Sequence, residues 1–118
     1  MAGQQYSVER AFIVWLRAGG LDARFWVPRD RPDGLVTVQR TAGAVEDMVD
    51  RPQVTIAFWG ESAEAESDLA VEVRNALVKG SRPEGVHKVT QVTGPLWYPD
   101  PETRLPCYEL VVECTARI

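Results

Sequence analysis

Hydrophobic side chains recur along this chain with two different periods, and the clearest change of period falls between Val54 and Gly80. From Val54 to Phe58 every second residue is strongly apolar, which is the pattern of a half-buried strand. After Gly60 the spacing lengthens to that of a single apolar stripe on a helix. This stripe comprises Ala65, Leu69, Val73, Ala76 and Leu77. Ser62 is placed to cap the helix, and Gly80 is placed to end it.

The same helical spacing predicts a first helix near the start of the chain. Its apolar stripe comprises Val8, Ala11, Phe12, Trp15 and Leu16. Ser7 can cap this helix, and Gly19-Gly20 can end it. Ile13 and Val14 lie off the stripe, so the helix is apolar on more than one face. That second face is either buried deeply within the chain or presented to another subunit.

Four further stretches favour β structure. Their patterns predict strands over residues 23–27, 35–40, 86–93 and 107–117. In the second of these strands, Val36 and Val38 should face inward and Thr37 outward, and Gly94-Pro95 should end the third. The order of elements predicts an α+β domain, with a mostly antiparallel sheet of four to five strands and both helices packed on one face.

Residues 41–53 form a thirteen-residue connection between two strands that would otherwise make a hairpin. Hairpin connections usually take about two to five residues. A connection of this length within a small domain is usually functional or disordered. We therefore expect it to lie outside the periodic elements and to become ordered on a partner.

Three aromatic side chains are expected at the surface. Trp59 falls on the outer face of its strand, and Trp97 and Tyr98 lie in a proline-rich segment, residues 96–106, that should be a loop. Aromatic residues are enriched at the centres of protein interfaces. The alternative for each is a local contact beneath its own loop.

Composition limits the function classes. A length of 118 residues indicates one domain, and a net charge of −4 disfavours a protein that grips duplex DNA through many phosphates. No apolar run is long enough to span a membrane. Residues 1–5 lack the pattern of a signal peptide, so a cytosolic origin is expected.

Candidate chemistry is sparse. His87 is the only histidine, and no phosphate-binding glycine motif occurs. Cys107 and Cys114 lie an odd number of residues apart on a predicted strand, which places their side chains on opposite faces. We expect two buried free thiols, with no zinc site, no other metal, no cofactor and no catalytic residue.

A succession of short motifs covers nearly the whole chain. They are Asp30-Arg31-Pro32-Asp33-Gly34, Val36-Thr37-Val38-Gln39-Arg40-Thr41-Ala42-Gly43, Asp50-Arg51-Pro52 before Val54-Thr55-Ile56-Ala57-Phe58-Trp59, Ala70-Val71-Glu72-Val73-Arg74-Asn75-Ala76-Leu77, Gly94-Pro95 and Pro99-Asp100-Pro101. In order and spacing, this series resembles the tail terminator proteins of long-tailed, non-contractile bacteriophages, particularly those that infect actinobacteria. That family often has Arg-Thr-Gly-Gly where this chain has Arg40-Thr41-Ala42-Gly43.

The resemblance implies a small subunit that assembles with further copies into a hexameric ring. Such a ring caps the tail tube protein, ends tube elongation and joins a neck stopper or connector protein at the head–tail junction of the virion. It would be assembled in the host cytoplasm, with genome DNA passing through the ring without specific binding and with no membrane involved. The expected contact residues are Ile13, Val14, Arg40, Thr41, Gly43, Val45, Met48, Arg51, Trp59, Trp97 and Tyr98.

Two other functions remain open at this point. The chain could be a head-completion protein, a stopper or connector, at the same joint. It could also be a small regulatory or ligand-binding α+β domain of the host, which would need an apolar pocket with convergent polar groups.

Overall fold

Two helices and seven strands make up residues 5–118, the part of the chain that the computed structural model describes. Residues 1–4, which belong to the segment without a signal-peptide pattern, lie outside the described residues. In chain order the elements are α1 (Val8–Ala18), β1 (Asp22–Arg24), β2 (Leu35–Ala42), β3 (Val45–Glu46), β4 (Val49–Asp50), β5 (Gln53–Trp59), α2 (Ala63–Val78), β6 (Val86–Trp97) and β7 (Cys107–Ala116).

All seven strands belong to one open sheet with β5 near its middle. The strands are ordered β1-β2-β5-β7, β6 lies on the far side of β7, and the short β4 and β3 continue beside the end of β7. Only β1 and β2 are parallel, and every other pair is antiparallel. The α+β class and the mostly antiparallel sheet are therefore confirmed, whereas the number of strands is larger than the four to five expected.

Both helices begin at the serine predicted for them. Ser7 Oγ accepts a hydrogen bond from the Arg10 backbone N–H, and Ser62 Oγ accepts one from the Ala65 N–H. Each bond satisfies a donor that has no partner inside the helix. The predicted starts of the helices are therefore confirmed.

The buried face of α2 differs from the predicted stripe. It consists of Glu66, Ala70, Val73 and Leu77, whereas Ala65 is exposed and Leu69 half-buried. The small Ala70 lets this side of the helix approach the sheet closely. The helix is therefore rotated about its axis relative to the prediction, and the Glu66 carboxyl lies on the inner side beside Gly60 and Asp33.

One hydrophobic cluster joins the helices to the sheet. Its largest members are Phe12, Ile13 and Leu16 from α1, Val73 and Leu77 from α2, Val36 and Val38 from β2, Val54, Ile56 and Phe58 from β5, and Leu110 and Val112 from β7. Cross-strand pairing aligns them, since Val36 lies opposite Phe58, which lies opposite Tyr108. Alternation of side chains across the strands thus places the predicted inward residues in the core.

The other face of the sheet is covered where β5 ends. Leu35, Thr37, Ala57 and Cys107 are all buried there, so the expectation that Thr37 faces solvent is wrong. The Trp59 indole N–H donates to Thr37 Oγ1 at 3.0 Å and lies over this part of the strand pair. A threonine hydroxyl can be buried because this hydrogen bond satisfies it.

The long connection predicted between two strands is instead largely β structure. β2 continues to Ala42, which lies opposite Gln53, and the chain between them forms the β3–β4 hairpin. Strands of two residues are too short to show a hydrophobic period, which explains why the sequence pattern did not reveal them.

The strand β6 is also longer than predicted, because it runs through Gly94-Pro95 to Trp97 instead of ending there. A proline is tolerated because β6 is an edge strand that pairs only with β7. Its pairing with β7 is interrupted by three register shifts, and Lys88 is one of its residues.

Near the start of the chain, β1 ends at Arg24, whereas the predicted strand extends to Val27.

Candidate interaction surface

The most exposed ordered segment that the sequence singled out is the β3–β4 hairpin with its flanks, residues 43–51, which we call the arm. Val45 pairs with Asp50, and Glu46 pairs with Val49. Asp47 and Met48 form the turn with φ angles of 51° and 63°. Two successive left-handed residues make a turn whose twist matches that of paired strands. The arm therefore has a defined shape.

Arg40 holds the base of the arm. Its guanidinium donates to both carboxylate oxygens of Asp50, each at 2.7 Å, and to the Gly43 carbonyl at 3.0 Å. The hydrogen bonds to Asp50 raise the pKa of Arg40 above its usual value. The Arg40 backbone N–H also donates to Glu9 Oε2 at 2.9 Å. Arg40, expected as a contact residue, thus has both terminal guanidinium nitrogens and its backbone N–H engaged within its own chain.

Gly43 is required by the way the chain enters the arm. Its φ is +106°, and a Cβ built there would lie 2.1 Å from the Arg51 carbonyl oxygen and 2.7 Å from Pro52 Cα. Both atoms belong to the backbone, so the clash cannot be relieved by a side-chain rotation. The neighbouring Thr41 bonds to Thr55 Oγ1 and Gln53 Nε2, each at 3.0 Å. Gly43 thus serves the arm's own structure, whereas Thr41 ties the end of β2 to β5.

The tip of the arm exposes apolar and acidic side chains together. Met48 is 82% exposed and Val45 is 56% exposed. Glu46 and Asp47 stand between them and are exposed as well. Arg51 is exposed on the returning strand near the base. Of the residues expected from this region, Val45, Met48 and Arg51 are therefore accessible to a partner.

The second apolar face predicted for α1 divides between core and surface. Ile13 is 1% exposed and belongs to the hydrophobic core, whereas Val14 is 59% exposed. The two residues are adjacent on the helix and point about 100° apart, as 3.6 residues per turn require. Only Val14 is therefore available for contact in the folded chain.

Val14 borders a small depression of about 240 Å³, which we call the recess. Its lining includes the side chains of Tyr6, Arg10, Val14, Glu84 and Arg117. The Arg117 guanidinium lies 5.2 Å from the centre of the Tyr6 ring, and the Tyr6 hydroxyl donates to the Glu84 carbonyl at 2.8 Å. Within residues 5–118, neither Arg10 nor Arg117 forms an ion pair.

Sequence reasoning missed the recess. Arg10 and Arg117 come from opposite ends of the chain, and only the docking of α1 beside the end of β7 brings them together. No spacing along the chain carries that information.

Trp59 is half-buried rather than fully presented to solvent. Besides its bond to Thr37, its ring carries the Arg31 guanidinium at 5.1 Å from the ring centre. Arg31 in turn pairs with Asp100 at 3.0 Å and donates to Thr103. These contacts match the alternative of a local contact beneath the chain's own loops. They leave only part of the indole open to a partner.

Trp97 and Tyr98 lie at the exposed end of β6. Trp97 is half-exposed, and its ring centre lies 5.1 Å from that of Tyr108. Tyr98 is also exposed, and its backbone N–H donates to the Cys107 carbonyl at 2.9 Å. Trp97 belongs to the strand and not to the predicted loop. A further exposed tryptophan, Trp26, was not singled out from the sequence.

The cysteines are buried and free, as expected. Burial raises the pKa of Cys107 to about 12 and that of Cys114 to about 11. A thiol with such a pKa is almost entirely protonated near neutral pH and is a poor nucleophile. Within residues 5–118, no group of three or more His, Cys, Asp or Glu side chains is placed to hold a metal ion.

A groove of about 460 Å³ between the two helices is a mainly apolar depression that bears on a ligand-binding function. Leu16, Leu69 and Val73 line it, and Glu72 and Ser81 are among its polar residues. Ser81 Oγ already accepts a hydrogen bond from the Trp15 indole at 2.9 Å. The groove thus offers few free polar groups to orient a small molecule.

Comparison of the chain with known protein families found no match, and comparison with curated proteins found none. Among the helices of residues 5–118, neither is long and apolar enough to cross a membrane.

Proposed function

We propose that this protein is an assembly subunit of a bacteriophage tail, which forms a ring on the end of the tail tube, stops its elongation and joins the tail to the neck. The observation that carries the proposal is the arm, a braced hairpin that holds Met48 and Val45 in solvent. The series of motifs that resembles tail terminators is the reason for proposing a ring on a tail tube rather than another kind of assembly.

Met48 stands exposed on the turn of the arm. Met48 adopts a left-handed backbone conformation, which disfavours a residue with a side chain. The hydrogen bonds of Arg40 and Asp50 hold the hairpin in place despite this cost. Flexible, polarisable methionines suit surfaces that adapt to a partner. A contact function accounts for both the bracing and the exposure.

The proposed partners are further copies of the chain, the tail tube protein and a neck stopper or connector protein. Genome DNA would pass through the ring without specific binding, which a net charge of −4 accommodates. Such a subunit acts at the head–tail junction of the virion, after assembly in the host cytoplasm, and needs no catalytic group, metal or cofactor.

We also propose that both helices cover the same face of the sheet, which leaves the part of the opposite face away from the buried end of β5 for contacts in the assembly. The support is that buried residues of α1 and α2 share one cluster with the same alternating set of sheet residues. A ring subunit whose two sheet faces differ can place different surfaces against its neighbours.

The proposal is tested by tail-tube polymerisation in vitro with the double variant Val45→Thr/Met48→Ser. These changes remove the apolar tip and keep the hairpin and its bracing. The matched control is Val78→Ser, which polarises a valine at the end of α2 whose exposure lies between those of Val45 and Met48. We expect the wild type and the control to restrict tube length, and the arm variant to lose this effect.

Full length control by the arm variant, or no effect of the wild type on tube length, would contradict the proposal. Binding of the wild type to portal-bearing heads in the absence of any tube would instead assign the protein to the stopper or connector position.

A further inference from the structure

The arm and the recess carry opposite charge at two separate places on the same chain. The exposed tip offers the carboxylates of Glu46 and Asp47, neither of which forms an ion pair within residues 5–118. The recess offers the guanidinium groups of Arg10 and Arg117 against one carboxylate, Glu84, so its charge is net positive. Complementary charge favours the correct encounter of two surfaces and speeds it.

The apolar groups at the two places are complementary as well. Met48 projects beside the acidic residues of the tip, and Val14 borders the recess with more than half of its surface exposed. An unbranched methionine side chain can adapt to an irregular depression. Burying both side chains together would remove apolar surface that each exposes in the single chain.

We propose that the arm tip of one copy docks into the recess of a second copy, with Glu46 and Asp47 facing Arg10 and Arg117 and with Met48 against Val14. Within one chain this contact is not made, since Met48 is 82% exposed and Val14 is 59% exposed. The opposite charge of tip and recess, together with their exposed apolar side chains, points to another copy of the chain as the occupant. The inference deepens the proposed ring function and rests on it for the closed shape of the assembly.

The contact is heterologous, because each copy supplies one arm and one recess that are different surfaces. Repetition of a heterologous contact gives a ring when its rotation closes. A tip of a few residues buries less area than the roughly 1,200 Å² of a typical stable complex, so a single contact is weak. Ring closure makes the last contact intramolecular and thereby stabilises all of them.

Two charge-reversed variants test the pairing. Variant A is Glu46→Lys/Asp47→Lys, which makes its arm basic beside its basic recess. Variant B is Arg10→Glu/Arg117→Glu, which makes its recess acidic beside its acidic arm. The matched control is Glu64→Lys/Asp68→Lys, which reverses two exposed acids of α2 far from both surfaces in sequence. Circular dichroism and thermal melting verify that every variant is folded.

Self-association is measured by sedimentation velocity over a range of concentrations at low salt. We expect the wild type and the control to associate, and A and B alone to weaken about tenfold or more, which corresponds to about 1.4 kcal/mol. A mixture of A and B should associate again, because the basic arm of A fits the acidic recess of B and the acidic arm of B fits the basic recess of A.

A monomeric wild type, unchanged association of A and B alone, or a mixture no stronger than its components would each overturn the inference. The tube assay separates this failure from failure of the proposed function. If the wild type restricts tube length but its self-association does not depend on these charges, the contact is refuted and the function is not. If the mixture of A and B associates again but the wild type never affects tube length, the function is refuted and the contact is not.

Discussion

Arg40 and Asp50 are joined by two hydrogen bonds of 2.7 Å each, which fasten the end of β2 to β4, the second strand of the arm. Two strands of two residues are not stable as an isolated hairpin in water. The ion pair therefore gives this short hairpin the support that its own length does not provide.

Removal of the Asp50 carboxylate should destabilise the arm and the domain. In Asp50→Ala the half-buried guanidinium of Arg40 loses both bonds of the ion pair and keeps only the Gly43 carbonyl, which should cost about 1–3 kcal/mol of unfolding free energy. Urea denaturation measures this loss, and hydrogen exchange should quicken at the arm amides. Asp22→Ala removes the exposed pair with Arg24 and should change neither quantity. Equal effects of the two variants would contradict the bracing role.

Substitution of Gly43 should be costly for a steric reason. Gly80 is a matched control because its φ of +105° is nearly that of Gly43, yet a Cβ there meets nothing within 4 Å. Gly80→Ala should therefore cost only the left-handed strain of about 1–2 kcal/mol. Gly43→Ala should cost more, because the new methyl group meets the backbone of Arg51 and Pro52. Chemical denaturation of both variants gives the difference in unfolding free energy. A Gly43→Ala protein as stable as Gly80→Ala would show that the backbone of Arg51 and Pro52 shifts to accommodate the methyl group.

Glu66 should make stability depend on pH. Burial raises the pKa of its carboxyl above 4.5, and the neighbouring Asp33 raises it further. The folded chain then holds this proton more tightly than the unfolded chain, so the contribution of Glu66 to stability falls as pH rises above 4.5. The side chain of Glu66→Gln cannot ionise. The free energy of unfolding of this variant, relative to that of the wild type, should therefore be higher at pH 7 than at pH 4.

Urea denaturation at the two pH values measures that difference. Glu64→Gln on the exposed side of the same helix is the control and should show no such gain. Burial also raises the pKa of Glu109, but this group is present in all three proteins and cancels from the comparison. A gain for Glu66→Gln that is the same at both pH values would place the Glu66 carboxylate in water instead.

Both thiols should resist modification in the folded protein. Cys107 and Cys114 are buried and have raised pKa values, so an aromatic disulfide reagent at pH 8 should react with neither until denaturant is added. A Glu64→Cys variant supplies an exposed thiol that should react at once with one equivalent. Rapid labelling of the wild type would mean that the sheet around β7 opens locally.

Local patterns predicted most of the helices and the central strands correctly. Ser7 and Ser62 cap the helices because the capping chemistry depends only on residues a few positions away. The alternation along β7 was equally informative, since Leu110, Val112 and Cys114 all face one core. In these elements the tertiary environment agrees with the local signal.

Features that depend on distant residues were not predictable. The burial of Glu66 follows from how α2 rotates to bring Ala70 to the sheet, which its acidic first turn does not indicate. The arm depends on a carboxylate ten positions beyond Arg40, and its two-residue strands show no period. The continuation of β6 past Pro95 depends on that strand having a neighbour on one side only.

The two borders of the sheet have a consequence for how copies of this protein can accumulate. At one border β1 has only three residues, and next to it the backbone N–H of Arg40 in β2 is already bonded to the Glu9 carboxylate. At the other border the pairing of β6 is interrupted by three register shifts, and this strand also contains a lysine and a proline. Neither border is a good template for a further strand from another molecule. Backbone pairing between copies is therefore disfavoured at both borders, and contacts between copies of this protein should rest mainly on side chains.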